Sequence, residues 1–182
     1  YYTGYKFSFG VALGDIYAEI INRIQTTGLE NKFTKRWKDH VLNAGISFKY
    51  HAISPYNTTS NKNGEKNPAD NILTQHALET NFFINDGITF SQKWFTNIGI
   101  RYTLFNYKGD RDSIINRKAY SWIAPSLSLR YMITSDLFLR LGANISYQPL
   151  HLIPVSTNAL PIDFWIADNE LMKPSTAKQF SL

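Results

Sequence analysis

Apolar and polar residues alternate with a period of two through most of this chain, most clearly between Leu73 and Asn106. Leu78, Thr80, Phe82, Ile84, Ile88 and Phe90 share one parity, and Glu79, Asn81, Asn85 and Thr89 the other; Phe83 and Asp86 break the pattern. After Ser91-Gln92-Lys93-Trp94, Ile98, Ile100, Tyr102 and Leu104 alternate with Asn97, Gly99, Arg101 and Thr103. Successive side chains of a strand point to opposite faces. The stretch therefore predicts two strands joined by a short turn, each oily on one face and polar on the other. Such strands exceed the ~5–6 residues usual in soluble proteins. They match the ~9–11 residues with which a tilted strand crosses a bilayer.

The same pattern recurs along the chain. Tyr5, Phe7, Phe9, Val11 and Leu13 face one way and Lys6, Ser8, Gly10 and Ala12 the other, until Gly14-Asp15. Between Asp15 and Gln25, Ile16, Ile20, Ile21 and Ile24 have helical spacing and Asp15 is a fitting cap, so a long loop with one or two helical turns is expected there. Thr26 to Thr34 reads as a weaker strand with Leu29 and Phe33 on one face, followed by a turn at Lys35 to Lys38. From Asp39 to Ile53, Leu42, Ala44, Ile46, Phe48 and Tyr50 oppose Asn43, Gly45, Ser47, Lys49 and His51. Ser54 to Asn71 and Tyr107 to Arg117 are polar and rich in turn formers. Ser121 to Ile133 and Leu137 to Gln148 predict a further hairpin across Thr134-Ser135-Asp136, with Leu127, Leu129, Tyr131, Leu137, Leu139, Leu141, Ala143, Ile145 and Tyr147 outward and Ser126, Ser128, Arg130, Arg140, Gly142, Asn144 and Ser146 inward. Pro149 to Lys178 is a long segment holding four prolines, and a last strand is expected to begin near Ala177.

Joins near 14–25, 53–73, 107–118 and 149–175 thus read as long, and those near 35–38, 91–94 and 134–136 as short. Outer-membrane barrels sort their connections in this way, with short periplasmic turns and long extracellular loops. The fold class expected is all-β: an antiparallel transmembrane β-barrel segment built as a meander of hairpins. Trp37 and Trp94 fall at short turns, where a periplasmic aromatic girdle belongs. A soluble sandwich or lipocalin-like barrel would also alternate, but it would not be expected to sort its loops by length.

Composition sharpens the picture at a few points. No stretch approaches the ~18 apolar residues of a membrane helix, and mean hydropathy is −0.27, as expected where half of each strand faces a polar interior. Aromatic residues make up 15% of the chain, in keeping with interfacial girdles. The chain has no cysteine, which excludes disulfides, thiolate metal sites and cysteine nucleophiles. The net charge of +5 is scattered. Its densest run, KFTKRWK over 32–38, is too short to argue for nucleic acid and reads as a turn carrying an interfacial Trp.

The sequence offers no catalytic, cofactor-binding or metal-binding residues. His40, His51, His76 and His151 lack metal-ligand spacing; His51 takes a polar parity, His40 starts a strand at the expected interface, and His151 lies in the proline-rich segment. Asp110 and Asp112, and Asp163, Asp168 and Glu170, are loop carboxylates whose default role is solvated charge, and their spacing matches no calcium loop. There is no GxSxG, P-loop or GxGxxG.

Three segments resemble the β-barrel of TonB-dependent outer-membrane receptors, in particular those of the Bacteroidetes type. ETNFFINDGITFSQKWFTNIGIRYT over 79–103 looks like that family's strand–turn–strand with an acidic residue before the turn and a G-[IL]-R-Y stretch, here Gly99-Ile100-Arg101-Tyr102. HVLNAGISFKYHAISP over 40–55 is similar to a family strand. Residues 148–182, with QPLHL, PIDFW and KPSTAKQFSL, resemble its long loop and re-entering strand.

The resemblance implies an active transporter in the outer membrane of a Gram-negative bacterium. A plug domain would fill a barrel of about 22 strands, and the TonB complex would pull on that plug. The substrate would be a small ligand or nutrient: a siderophore, a cobalamin, a glycan or a peptide. By this reading residues 1–182 form part of one receptor barrel domain without its plug. The expected partners are outer-membrane lipid, the TonB complex through the plug, and the ligand, with no nucleic acid. Lys49, Arg101, Arg130 and Arg140 all take the polar, inward parity. They would either steer an anionic substrate inward or pair with plug carboxylates or with acids such as Glu79. Gly45, Gly99 and Gly142 also face inward, where they permit close approach of another backbone. Two other readings are a self-contained eight-strand outer-membrane barrel with a structural or adhesive role, and a soluble all-β binding domain.

Overall fold

The computed structural model describes residues 1–14, 16–62, 65–67, 74–108, 117–154 and 163–182. Among them there are strands and turns and no helix. The strands are β1 (Tyr2–Leu13), β2 (Ile16–Trp37), β3 (His40–Lys62), β4 (Glu65–Asn67), β5 (Gln75–Thr89), β6 (Trp94–Tyr107), β7 (Lys118–Met132), β8 (Phe138–Gln148), β9 (Leu150–Pro154), β10 (Asp163–Ala167) and β11 (Ser175–Ser181). One antiparallel sheet runs β1-β2-β3-β5-β6-β7-β8-β11, with β4 paired to β3, while β9 and β10 form a separate hairpin. Among the described residues no pairing joins β1 to β11, so the sheet is an open meander rather than a closed eight-strand barrel.

The organising hairpin is as its alternation predicts: Thr89 pairs Phe95 and Ala77 pairs Tyr107. The other short turns also form. Trp37 pairs His40 across Lys38, which adopts φ 50°, and Ile133 N–H donates to Leu137 C=O at 2.9 Å. Two residues broke the pattern in sequence, and each has a structural reason. Phe83 points inward because Gly45 leaves room for it; a Cβ on Gly45 would stand 2.5 Å from the Phe83 ring. Asp86 points outward and accepts from His40 Nδ1 at 2.7 Å, so a carboxylate on the oily face is not left alone.

Three expectations are corrected. Ile16–Gln25 is not a loop with helical turns; it opens β2, paired with β1 from Leu13↔Ile16 to Tyr2↔Thr27. The first join is therefore short, turning at Gly14 with φ 55°. Residues four apart share a face in a helix and in a strand alike, so Ile16, Ile20 and Ile24 fit both. The polar stretch after Ser54 continues β3 to Lys62, with a bulge opposite Ile21/Arg23. The long segment after Pro149 holds the β9–β10 hairpin, and the last strand begins at Ser175.

The sheet has an outer and an inner face, the inner being the one that β10 covers. Leu29, Phe33, Phe48, Phe82, Ile84, Ile100 and Leu127 are all exposed on the outer face. Aromatic residues bound this band. Trp37, Trp94 and Tyr131 lie at the short-turn end, with Trp94 and Tyr131 4.5 Å apart, and Tyr50 and Tyr102 lie towards the other end. Between His40 and Tyr50 the strand has the length of roughly ten residues that crosses a bilayer. The face is not oily throughout: β1 turns Tyr5 inward, opposite Ile24, and shows Lys6 outward.

Candidate functional site

The inner face carries the polar half of each strand. At the long-loop end, β10 lies across it like a brace. Asn22 of β2 donates to the Asp163 carbonyl, and Tyr120 of β7 donates to the Asn169 carbonyl at 2.6 Å. Between these anchors Ala167 is buried against Ile53 of β3, Ala77 of β5 and Phe105 and Tyr107 of β6, with Ile24, Trp122 and Trp165 packed around them. β10 and the residues just after it thus tie five wall strands together from inside. Within the hairpin, His151 Nε2 and Asp168 Oδ1 are 2.7 Å apart, and Asp168 is fully buried, its second oxygen without a hydrogen-bond partner among the described residues. Burial pushes the Asp168 carboxyl above its ordinary range, and His151 partly offsets this.

Below the brace lies a polar network centred on Glu79. Its Oε1 accepts from Lys49 Nζ at 2.9 Å and from Asn81 Nδ2 at 2.7 Å, and His51 Nε2 stands 3.5 Å from Oε2. Thr26 bonds the other nitrogen of His51, and Thr103 donates to Asn81 Oδ1 at 2.6 Å. The inward parity of four strands brings these groups together, and most are hydrogen-bonded to one another, as buried polar groups require; His51 Nε2 is the exception, near Glu79 but without a hydrogen bond among the described residues.

Next comes a cavity of about 260 Å³ around Arg101. It exists because the β7–β8 ladder ends at Ser126↔Asn144. One residue further on, Pro125 has no N–H to extend the ladder. The gap leaves Trp122 facing Tyr147, ring centroids 5.4 Å apart, so Tyr147 lines the cavity and is not turned outward as its parity predicts. Asn85 and Asn144 line the cavity, and neither they nor Arg101 has a hydrogen-bond or ion-pair partner among the described residues. Towards the short turns Arg130 and Arg140 are direct cross-strand partners. Arg130 stacks over Phe95 at 4.9 Å and Phe138 at 5.3 Å, and Arg140 donates to Ser128 Oγ at 3.3 Å. Neither has a carboxylate partner among the described residues.

The four cations singled out by parity all lie on the inner face, but they do not form one cluster. Lys49 is neutralised by Glu79, whereas Arg101, Arg130 and Arg140 have no counter-charge among the described residues. The inward glycines meet side chains from neighbouring strands: Phe83 over Gly45 and Ser181 over Gly142. His40 pairs with Asp86 on the outer face, His76 bonds the Tyr50 hydroxyl at 2.8 Å, and His151 belongs to the brace. Asp110 and Asp112 lie outside the described residues. Sequence reasoning missed the brace and the cavity wall. The apolar run Phe164-Trp165-Ile166 was the available signal for the first, and Pro125 inside a strand for the second.

Residues 1–182 match the family model described as TonB dependent receptor-like, beta-barrel. No curated protein matches the chain.

Proposed function

Since the chain belongs to the TonB-dependent receptor-like β-barrel family, we propose that it forms part of the wall of an outer-membrane transporter of the Bacteroidetes type, importing a ligand too scarce or too large for porins. A siderophore, a cobalamin, a glycan or a peptide would fit that description. The observation that carries this reading is a single antiparallel wall, apolar and exposed on one side and polar on the other. A soluble domain rarely leaves so broad an apolar band uncovered, whereas lipid covers it without cost. The segments around Gly99-Ile100-Arg101-Tyr102, QPLHL and PIDFW support the Bacteroidetes type.

In this reading the turns after Trp37, Thr89 and Met132 face the periplasm, and the ligand enters from the opposite end, past the brace. Arg101, Arg130 and Arg140 then give the inner face a positive field that no described acid cancels, and Lys49 adds little because Glu79 neutralises it. Such a field draws anions inward. A plug domain filling the barrel and coupled to the TonB complex would supply the energy. Transport, with no bond made or broken, is the activity proposed.

The test is uptake in intact cells. Disrupting the gene, or the TonB that energises it, should abolish concentrative uptake of the scarce nutrient, and the protein should fractionate with outer membrane as a heat-modifiable band. Recovery in the soluble fraction, or uptake indifferent to TonB, would overturn the reading. Replacing Arg130 and Arg140 together by Gln should slow uptake of an anionic ligand and leave a neutral one unchanged.

A further inference from the structure

We propose that the cavity around Arg101 is a subsite for an acidic sugar, a single pyranose-sized ring bearing one carboxylate. The inference rests on the transport reading above and names the substrate class for that inner face. Size sets the first limit. About 260 Å³ falls just below the ~300–1,000 Å³ of pockets that enclose drug-sized ligands, so one ring fits.

Charge sets the second limit. Arg101 is without a partner among the described residues although its guanidinium carries five donors, and its planar fork matches a carboxylate bidentately. A dianion suits the cavity less well, because Arg101 is the one cation among its lining residues and Glu79 also borders it. Hydroxyl recognition comes from Asn85 and Asn144, which lack partners among the described residues. Each amide offers donors and an acceptor, the pairing that neighbouring hydroxyls on a ring require. The fourth element is an apolar platform: Trp122, half-buried and tilted 32° to Tyr147, borders the same space. The C–H face of a sugar packs on an aromatic ring while its hydroxyls turn to the amides. A wholly apolar ligand would leave the amides and Arg101 unpaired, which is costly.

Binding is measured on the purified receptor in detergent by calorimetry, with galacturonate, glucose, acetate and N-acetylalanine as probes. Galacturonate should bind saturably and more tightly than the other three. R101Q should weaken galacturonate at least tenfold, down to the level of glucose, and leave glucose unchanged. R101K should be intermediate, since it keeps the charge and loses the fork. N144L should weaken galacturonate and glucose alike, and it serves as the second test if R101Q does not give a heat-modifiable, folded barrel. The proposal is overturned if galacturonate shows no saturable binding to the folded receptor, if R101Q binds it as well as the parent does, or if acetate or N-acetylalanine binds equally well. TonB-dependent uptake separates the two readings. Arg101-dependent galacturonate binding without TonB-dependent uptake would sink the transport reading alone. TonB-dependent uptake of a nutrient with no Arg101-dependent binding would sink the subsite alone.

Discussion

Truncating Phe105 to Ala should release the brace while leaving the wall standing. Phe105 is fully buried, and Ala167 of the brace lies in the same cluster as Phe105, Ile53, Ala77 and Tyr107. Removing a buried Phe costs about 3–5 kcal/mol through lost burial and the cavity left behind. The tilted contact with Trp122 at 6.4 Å contributes about 0.5–1.5 kcal/mol to such a loss. Against this, the brace's two described hydrogen bonds to the wall, from Asn22 and Tyr120, hold about 0.5–1.5 kcal/mol each. The apolar contact therefore outweighs both anchors together. The wall strands have independent support: β5 and β6 are paired along their length, from Ala77↔Tyr107 to Thr89↔Phe95. Opening of the brace should become on the order of 100-fold more frequent or greater, since about 1.4 kcal/mol corresponds to a factor of ten. Hydrogen exchange read by mass spectrometry checks this: peptides covering 163–172 should lose protection in F105A while peptides from β5 and β6 keep theirs. Heat modifiability should be retained. If 163–172 stays protected and the whole barrel melts earlier instead, Phe105 holds the wall and the argument fails.

Two further outcomes follow from the buried charges. Glu79→Ala leaves Lys49, His51 and Asn81 without their shared acceptor; with Lys49 30% exposed at its side chain, the cost should be about 1–3 kcal/mol, below that of a fully buried pair. Adding Lys49→Met should recover part of that loss in a double-mutant cycle read by thermal unfolding, and strict additivity would show that the pair is not coupled. Asp168 lies outside the membrane-spanning strands, and burial raises its carboxyl above the ordinary value. The folded brace therefore binds the proton more tightly than the unfolded chain. The stability this lends is full below the unfolded value of about 4 and is lost as pH rises through the raised, folded value. Protease protection of the segment around 163–172 should decline across that window, and D168N should flatten the dependence. An unchanged slope in D168N would refute the assignment.

The sheet was legible because alternation with period two reports both strand and face, and register followed wherever a strand had one oily side, as from Leu78 to Thr103. The polar parity also located Lys49, Arg101, Arg130 and Arg140 on the inner face. Elsewhere the local pattern was degenerate. Ile16, Ile20 and Ile24 satisfy helix and strand equally, and only pairing with Tyr5 to Leu13 decides between them. Ser54 to Lys62 looks like a loop because strand polarity there is unconstrained by an apolar face. The brace was illegible for another reason. Its five residues pack against side chains from β2 to β7, and no local periodicity encodes contacts that reach from 49 positions back, at Tyr120, to 141, at Asn22. Whether Lys49 was paired or free likewise depended on the identity of a residue on the neighbouring strand.

The brace also bears on the order in which the molecule is assembled. Its bond from Asn22 to Asp163 spans 141 positions of sequence, whereas each wall strand pairs mainly with the strand before it. Contacts between distant positions carry a closure entropy that local ones do not. Once β2 to β7 stand side by side, that distance has been crossed by a series of short hairpin closures, and β10 has only to fold down onto a surface already made. The brace is then the last piece seated, and the wall beneath it acts as its template. Chains halted before β10 would carry the wall from β1 to β8 untied and without β11, with the buried cluster of Ile53, Ala77 and Phe105 still open to water.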